Sequence, residues 1–255
     1  MRFEKWHALG NSYLVVESTE AGALDDARVR RLCDVATGIG SDGVIEVTHS
    51  VGALASITIW NPDGSIAEMS GNGVRIAARW LARQAAVSEV TVETGDRGVH
   101  ARMIGADEVE IDLGEVTIAP PETLSAAGKT LEVTPVSVGN PHAVIRLDGA
   151  TREDLLRLGP AVERHDRFPA RTNVQLVEPL GPNELRVLVW ERGAGETAAS
   201  GSSAAAAAAV AVERGWCGSP VTVHMPGGDL FVTLAGAQAT LLGPAEEICR
   251  GETAL

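Results

Sequence analysis

Positive charge is scarce in this sequence. Lysine and arginine together number 21 among 255 residues, against 34 acidic residues, so the net charge is −13. Nucleic acids and anionic membrane surfaces are bound by basic faces, and this balance argues against both as partners. The sequence also lacks an apolar run long enough to span a bilayer, and its first residues lack the apolar core of a signal peptide. These absences predict a cytoplasmic protein that does not insert into a membrane.

Cysteine is also sparse. The three thiols, Cys33, Cys217 and Cys249, are odd in number and match no metal-ligand spacing. We therefore interpret them as buried or idle thiols and predict no metal site. A hydrophobic fraction of 45% is ordinary for a globular protein, and the chain is long enough to bury a full core as one large domain or two small ones.

What the chain does contain is an internal repeat at about half its length. Trp60 precedes Ser70-Gly71, and Trp190 precedes Ser200-Gly201 at the same spacing. A helix-forming run follows each Ser-Gly pair. The period is far longer than the unit of a solenoid, so the repeat indicates two homologous lobes rather than an array.

Shorter matches recur at nearly the same offset. Gly10-Asn11 corresponds to Gly139-Asn140, and Asp42 corresponds to Asn173. The repeat predicts a first lobe over residues 1–115 and a second over residues 130–255. Between them, residues 114–130 show little periodicity and are interpreted as the connection.

The apolar patterns predict a mixed architecture. Four helices are expected, at 25–37 with Asp25 as the N-cap, 74–83, 152–163 and 204–214. Strands are more numerous and are expected at 3–17 with a turn at Gly10-Asn11, and at 44–47, 53–60, 87–93, 99–104, 109–113, 131–138, 143–147, 173–178 and 185–190. The predicted fold class is α+β, with two pseudo-symmetric lobes, each a mostly antiparallel, barrel-like sheet around a central helix.

The Ser-Gly pairs have a chemical use of their own. Each stands at the predicted start of a helix, where backbone N–H groups without helical partners and the positive end of the helix dipole meet. An isolated Ser-Gly is most simply an N-cap. Two copies in register, each preceded by a polar, glycine-rich loop, instead favour two sites that together hold an anion such as a carboxylate.

Six motifs, in order and over nearly the whole chain, resemble the diaminopimelate epimerase family. They are Gly10-Asn11, Gly38 to Gly43, Asn61 to Arg75, Gly139 to His142, Thr172 to Val174 and Glu191 to Thr197. The resemblance implies two pseudo-symmetric lobes with an active site between them. It also implies an isomerase of amino-acid and lysine biosynthesis that inverts an α-carbon with no cofactor, neither pyridoxal phosphate nor metal. Homodimers are common in that family, although nothing in this sequence marks an interface.

The chain departs from the family at the two positions that carry its chemistry. The family has a Cys before each helix-entrance Gly, one acting as thiolate base and the other as thiol acid, whereas this chain has Ser70 and Ser200. A thiol has a pKa of about 8.5 and becomes thiolate when a helix end lowers it. The pKa of an alcohol is far higher, near that of water, so an alcohol stays protonated after the same shift. The departure predicts a chain that does not epimerise at the family's rate.

The remaining site residues match the family. The resemblance implies that Asn61, Asn173 and Arg192 bind the distal carboxylate of a diamino diacid, and bidentate carboxylate binding is ordinary arginine chemistry. It implies that His142 and Glu191 orient the reacting amino acid and tune Ser70 and Ser200. Further substrate contacts are expected at Asn11, Asn140, Gly71, Asn72, Gly201 and Ser202, the last four through backbone N–H groups. Asn11 is also an ordinary turn former.

Smaller departures are typical of a relative that has diverged. Gly43 stands where family members often carry Gln, and Gly201-Ser202-Ser203 replaces Gly-Thr-Gly. Three hypotheses remain open: an amino-acid epimerase or racemase fold whose thiols have been replaced, a divergent dehydratase or isomerase of the same superfamily, and a non-catalytic amino-acid-binding homologue. If the first holds, Ser70 and Ser200 should bracket one carbon atom of a small-molecule amino-acid substrate.

Overall fold

The computed structural model describes residues 1–67 and 69–255, and its chain separates into two compact units. Unit 1 comprises Met1–Asp112 and Leu242–Leu255, and unit 2 comprises Leu113–Leu241. The sequence-based division assigned residues 242–255 to the second lobe. They belong with unit 1 because the closing strand pairs antiparallel with the first strand of the chain.

Unit 1 surrounds one long helix with strands. Its elements are β1 (Arg2–Ala8), β2 (Asn11–Glu17), α1 (Ser18–Ala21), α2 (Asp26–Cys33), β3 (Val44–Val51), β4 (Leu54–Trp60), α3 (Gly71–Ala85), β5 (Glu89–Thr94), β6 (Arg97–Ile104), β7 (Glu108–Glu115), whose end crosses the unit boundary, and the closing strand β18 (Glu246–Glu252). The helix α3 packs on β1 to β6, and its apolar residues are buried.

Unit 2 repeats this plan. Its elements are β8 (Thr117–Ile118), β9 (Glu122–Ala126), β10 (Lys129–Ser137), β11 (Pro141–Arg146), α4 (Arg152–Glu163), β12 (Asn173–Gly181), β13 (Glu184–Glu191), β14 (Gly195–Thr197), α5 (Gly201–Glu213), β15 (Val221–Met225), β16 (Gly228–Ala235) and β17 (Gln238–Pro244), which crosses the second boundary. The alanine-rich helix α5 is buried on all sides from Gly201 to Ala211, as expected for a central helix.

The strand registers demonstrate the duplication. In unit 1, β2 runs parallel to β3, β3 antiparallel to β4, and β4 parallel to β5, with α3 between β4 and β5. In unit 2, β11 runs parallel to β12, β12 antiparallel to β13, and β13 parallel to β15, with α5 between β13 and β15. Val44 pairs with Trp60 as Val174 pairs with Trp190. The remaining pairings are mostly antiparallel, so the α+β class with a central helix in each unit is confirmed.

These registers correct one match drawn from the sequence. Leu14 pairs with Val44 in unit 1, and Ala143 pairs with Val174 in unit 2. The residue that precedes Val44 is Gly43, so the counterpart of Asn173 is Gly43 and not Asp42. Asp42 instead accepts hydrogen bonds from the backbone and hydroxyl of Ser12.

Two element predictions were wrong. The helix expected at 25–37 ends at Cys33, because the Asp34 carboxylate accepts hydrogen bonds from Ala36 N and Thr37 N and holds a turn. The segment 114–130, expected to be a plain connection, contains β8 and β9, which pair with β10. Asp25 does cap α2, by accepting from Arg28 N at 2.8 Å.

Two further observations concern membranes and metals. None of the helices described here combines the length and apolarity needed to cross a membrane. Within residues 1–67 and 69–255, no group of three or more His, Cys, Asp or Glu side chains is arranged to hold a metal ion. Cys33 and Cys217 are buried and Cys249 is exposed, and none forms a disulfide.

Candidate functional site

In unit 1, Ser70 is the N-cap of α3. Its Oγ accepts a hydrogen bond from Gly73 N at 3.1 Å, which is the ordinary geometry of a serine cap. The same Oγ lies 3.1 Å from the hydroxyl of Tyr13 on β2. The residues that follow, Gly71 and Asn72, are buried in the first turn of the helix, where backbone N–H groups have no helical acceptor.

A chain of polar contacts supports this helix entrance. Asn11 Oδ1 accepts from Asn72 Nδ2 at 3.2 Å, and Asn72 Oδ1 accepts from Arg75 Nη2 at 2.8 Å. Arg75 is fully buried and also donates to the carbonyl oxygens of Gly71 and Pro244. Burial lowers the pKa of Arg75 to about 10, so its guanidinium is charged at neutral pH. A buried cation and the positive end of α3 therefore lie at the same place, and both favour a bound anion.

Asn61 occupies a turn just after β4. Its side-chain Nδ2 donates to Ser65 Oγ at 2.9 Å, and its backbone N–H donates to Ser65 O at 2.8 Å. The Asp63 carboxylate accepts from the backbone and hydroxyl of Ser65, and these bonds lower the pKa of Asp63. The turn is thus held by its own side chains, and within residues 1–67 and 69–255 the Oδ1 of Asn61 accepts no hydrogen bond.

In unit 2, Ser200 stands at the start of α5 but does not reproduce the cap of Ser70. Its side chain makes no capping hydrogen bond to the first turn, and it is 4% exposed. Its backbone N–H points to Met225 Sδ at 3.5 Å. Gly201 and Ser202 follow as buried residues of the first turn, like Gly71 and Asn72 in unit 1. The two serines therefore occupy matching positions in different hydrogen-bonding environments.

His142 is the centre of a buried network in unit 2. Its Nε2 lies 2.8 Å from Asn140 Oδ1, and its Nδ1 lies 3.0 Å from Gln175 Nε2. Since Asn140 Oδ1 only accepts and Gln175 Nε2 only donates, His142 carries its proton on Nε2. Burial, together with the nearby charge of Arg192, lowers the pKa of His142 to about 3. The ring is neutral, with both nitrogens occupied, and so positions neighbours rather than acting as a base.

The network continues to the second helix entrance. Gln175 Nε2 also donates to the buried Ser203 Oγ at 3.0 Å, which joins His142 to the first turn of α5. Neither Gln175 nor Ser203 was among the site residues expected from the sequence. The available signal for Gln175 was its position two residues after Asn173, on the same face of one strand.

Asn173 fixes the backbone at Arg192. Its Oδ1 accepts from Arg192 N at 2.9 Å, and its Nδ2 donates to Pro141 O at 2.9 Å. The half-buried Arg192 side chain lies near Ala170, with a distance of 3.4 Å between Nη1 and the carbonyl oxygen. Glu191 is half-buried as well, and its Oε2 accepts from Thr197 Oγ1 at 2.9 Å. The amide of Asn173 thus orients protein groups, and Arg192 supplies the cationic end of this cluster.

Tyr13 is the third side chain that reasoning from the sequence missed. It stands three residues after Gly10, as His142 stands three residues after Gly139. The two rings are therefore equivalent positions of the repeat, one contacting Ser70 directly and the other connected to α5 through Gln175. The repeat contained this signal, but the contact itself depends on the register of β2 and β3.

Comparison with known proteins identifies relatives over the full length. The family model described as diaminopimelate epimerase matches residues 3–119 and 134–248. Proteins named diaminopimelate epimerase from Pelotomaculum thermopropionicum and Pseudomonas syringae pv. tomato are 37% and 34% identical. The first alignment covers 99% of this chain and 98% of the relative, and the second covers 100% and 99%.

Solved structures share the fold at low sequence identity. A probable proline racemase from Agrobacterium radiobacter superposes with a TM-score of 0.76 at 16% identity, over 100% of this chain and 93% of that one. A phenazine biosynthesis protein of the PhzF family from Bacillus anthracis superposes with a TM-score of 0.71 at 14% identity, over 100% and 99%. At these identities the likeness is one of fold.

Proposed function

Because the chain belongs to the diaminopimelate epimerase family, we propose that it moves the α-proton of an amino acid, preferably a diamino diacid such as diaminopimelate, without a cofactor. The observation that carries the proposal is the repeated entrance of a buried central helix, Ser70-Gly71 in unit 1 and Ser200-Gly201 in unit 2. In this proposal Ser70 and Ser200 are the two groups that remove and return the proton. The reaction would be an isomerase step of amino-acid biosynthesis, lysine biosynthesis above all, in the cytoplasm.

The helix entrances support binding of the reacting carboxylate. The first-turn N–H groups at Gly71, Asn72, Gly201 and Ser202 are donors of the kind that anions bind. In unit 1 the buried charge of Arg75 adds to the helix dipole. Removing an α-proton leaves negative charge on the α-carbon and its carboxylate, so the same donors would stabilise the intermediate more than the substrate.

Arg192 supports selectivity for a second carboxylate. It is half-buried, and its backbone is held by Asn173, which limits the positions its guanidinium can take. Asn61 in unit 1 is likewise oriented by its turn, through the bond from its Nδ2 to Ser65. An arginine whose backbone is held by an amide side chain is well suited to a planar carboxylate.

The serines also supply the argument for a second candidate, an amino-acid-binding protein without catalysis. An alcohol is a weaker base than a thiolate at neutral pH by several pKa units. A chain that retains the binding groups and lacks both thiols would bind its ligand and exchange no proton. This candidate makes a distinct prediction for the same experiment.

The experiment is incubation of the protein with diaminopimelate stereoisomers in deuterated water, followed by mass spectrometry and NMR of the amino acid. Deuterium at the α-carbon, together with the inverted stereoisomer, is the expected result. Loss of that label in Ser70→Ala and in Ser200→Ala assigns the chemistry to the two serines. Binding by calorimetry with no label uptake would replace the epimerase proposal with the binding protein, and release of water from the amino acid would replace it with a dehydratase.

A further inference from the structure

Tyr13 is placed to change the acid–base properties of Ser70. The two hydroxyl oxygens are 3.1 Å apart, and Tyr13 is 7% exposed, so the contact lies in the protected part of unit 1. Ser70 Oγ already accepts from Gly73 N. Its own proton is therefore available for donation to the phenolic oxygen of Tyr13.

Gly43 accounts for the position of the tyrosine ring. A Cβ placed on Gly43 would lie 2.6 Å from Tyr13 Cε1 and 2.5 Å from Trp60 O. Real Cβ atoms do not approach other atoms so closely, so no side chain fits at position 43 while the ring lies where it does. Leu14 N also donates to Gly43 O at 3.1 Å, which fixes the two strands beside the ring. The glycine and the tyrosine are thus complementary, and together they direct the phenol to Ser70.

The different acidities of the two hydroxyls determine which of them loses its proton. A phenol has an unperturbed pKa of about 10, whereas the pKa of an alcohol is several units higher, near that of water. When two such groups share a hydrogen bond, the phenol is the member that ionises. The phenolate would accept the Ser70 proton as a hydrogen bond, and the positive end of α3 favours the negative charge.

We propose that Tyr13 and Ser70 form a proton-sharing pair in which Tyr13 ionises and acts as a positioning residue for Ser70. Applied to the proposed function, on which this step rests, the Cα–H bond breaks and its electron pair stays on the α-carbon. Ser70 Oγ takes that proton while its own proton passes to the Tyr13 phenolate oxygen. In this direction Ser200 would return a proton to the other face of the carbon, and in the opposite direction the reverse transfer would let Ser70 donate. The pair thereby supplies a base of phenol strength at a position where a serine alone supplies none.

Other charged groups near the pair belong to neighbouring elements. His7 on β1 pairs with Ser12, and Asp42 accepts hydrogen bonds from the backbone and hydroxyl of Ser12. Arg75 is the buried cation of α3, and Arg97 on β6 contacts Met69 Sδ, next to Ser70. Because several groups could shape a pH profile, the test must observe the tyrosine itself.

The chain permits such an observation because Tyr13 is its only tyrosine. Ultraviolet absorbance of tyrosinate during a pH titration therefore reports Tyr13 alone, with Tyr13→Phe as the blank. In Ser70→Ala the midpoint should rise by about one pH unit, since the phenolate loses a hydrogen-bond donor. Ser70→Thr retains the hydroxyl and should titrate like the wild type. Ser12→Ala is the matched control, because that adjacent hydroxyl binds Asp42 rather than Tyr13.

The second measurement is the pH profile of α-deuterium exchange. Tyr13→Phe should lower exchange on the order of 100-fold and remove the alkaline rise. In a Ser70→Cys background, Tyr13→Phe should lower the exchange rate much less, because a thiol ionises without a neighbouring phenol. An unchanged tyrosinate midpoint in a folded Ser70→Ala protein would overturn the pair, as would an unchanged profile in Tyr13→Phe. A shifted midpoint in a protein that exchanges no amino acid would support the pair and remove the epimerase proposal instead.

Discussion

At the scale of single residues, Ser70 is constrained more tightly than a serine cap requires. Its Oγ accepts from Gly73 N and contacts Tyr13, each at 3.1 Å. Ser200 has the matching position in unit 2 and makes no capping bond. The two hydroxyls therefore differ in what surrounds them, and restoring a thiol should not have the same consequence at both positions.

Replacing both serines by cysteine should raise α-proton exchange with diaminopimelate by orders of magnitude. A thiolate at a helix entrance is a far stronger base than an alcohol at neutral pH, and cysteine is nearly isosteric with serine. Each single variant should recover less, because inversion needs a base on one face of the carbon and an acid on the other. Exchange measured in deuterated water is the readout. An inert Ser70→Cys/Ser200→Cys protein, beside a wild type that processes a different compound, would show that the family's chemistry has been replaced here.

Arg192→Ala should weaken the binding of a diacid amino acid by about 2–3 kcal/mol while changing the binding of a monocarboxylic analogue little. The reason is that the guanidinium is a half-buried cation on a backbone that the Asn173 side chain holds in place. Isothermal calorimetry with both ligands measures the difference. Arg186→Ala is the matched control, since it removes another half-buried guanidinium, which lies on β13 and binds Glu178. If Arg192→Ala binds the diacid as tightly as the wild type does, Arg192 has a structural role instead.

At the scale of elements, the predictable part of the fold was the part governed by local pattern. The helix predicted at 152–163 is α4, and its Thr151 cap satisfies a capping box with Asp154. The residues 34–37 continued an apolar helical pattern, yet the Asp34 side chain ends the helix there. The periodicity of apolar residues does not show where a side chain takes the backbone N–H groups that a helix would use. The contact of Tyr13 with Ser70 was not predictable for a different reason, since it depends on the register of parallel strands distant in sequence.

The packing of α4 on β13 gives an element-scale prediction. A Cβ on Gly159 would lie 2.6 Å from Cγ of Trp190, so the helix approaches the indole too closely for any side chain. Gly159→Ala should therefore destabilise the protein by about 1–3 kcal/mol, although alanine is ordinarily the better helix former. Urea unfolding measures the change. Gly98→Ala is the control, because its Cβ would meet only Thr91 Cγ2 at 3.7 Å. Equal stability of Gly159→Ala and wild type would show that Trp190 can move without cost.

The same helix carries a buried carboxylate that connects it to β13. Glu163 accepts from Trp190 Nε1 at 3.0 Å and from Gly193 N at 2.8 Å, and it pairs with Arg171. Burial alone would raise the pKa of this carboxyl. The hydrogen bonds from Trp190 and Gly193 and the charge of Arg171 outweigh burial, and the pKa of Glu163 is lowered.

A lowered pKa in the folded state means that Glu163 stabilises the fold above the unfolded pKa, about 4.3, and loses that effect as pH falls through the folded value. Glu163→Gln should cost about 1–3 kcal/mol at pH 7, and the difference from wild type should shrink toward more acidic pH. Urea unfolding at several pH values measures it. The exposed Glu213→Gln is the comparison. A Glu163→Gln penalty that stays constant into strong acid would contradict this assignment.

At the scale of the whole molecule, the repeat predicted two units of one design, and the registers of the sheets reproduce it. The repeat could not show to which unit the last residues belong, because β18 pairs with β1 at the other end of the chain. The N-terminal amine of Met1 donates to Thr253 O, and Arg28 Nη2 donates to Leu255 O. A division by sequence order assigns this segment to the nearer lobe, whereas hydrogen bonding assigns it to β1.

This connectivity makes the two units unequal as fragments. Unit 2 is one continuous segment, residues 113–241, with its own buried cluster around α4, so it should fold when expressed alone. Residues 1–112 alone would leave the pairing edge of β1 open, and Phe3 would lose its close contact with Gly251. An open edge of this kind promotes association.

We expect residues 1–112 to aggregate or to remain partly unfolded. A peptide of residues 242–255 added in trans should restore cooperative unfolding, measured by circular dichroism. A peptide with Gly251→Val is the control, since a side chain there clashes with the Phe3 ring. Cooperative unfolding of residues 1–112 without the peptide would show that β18 covers unit 1 without being required for its fold.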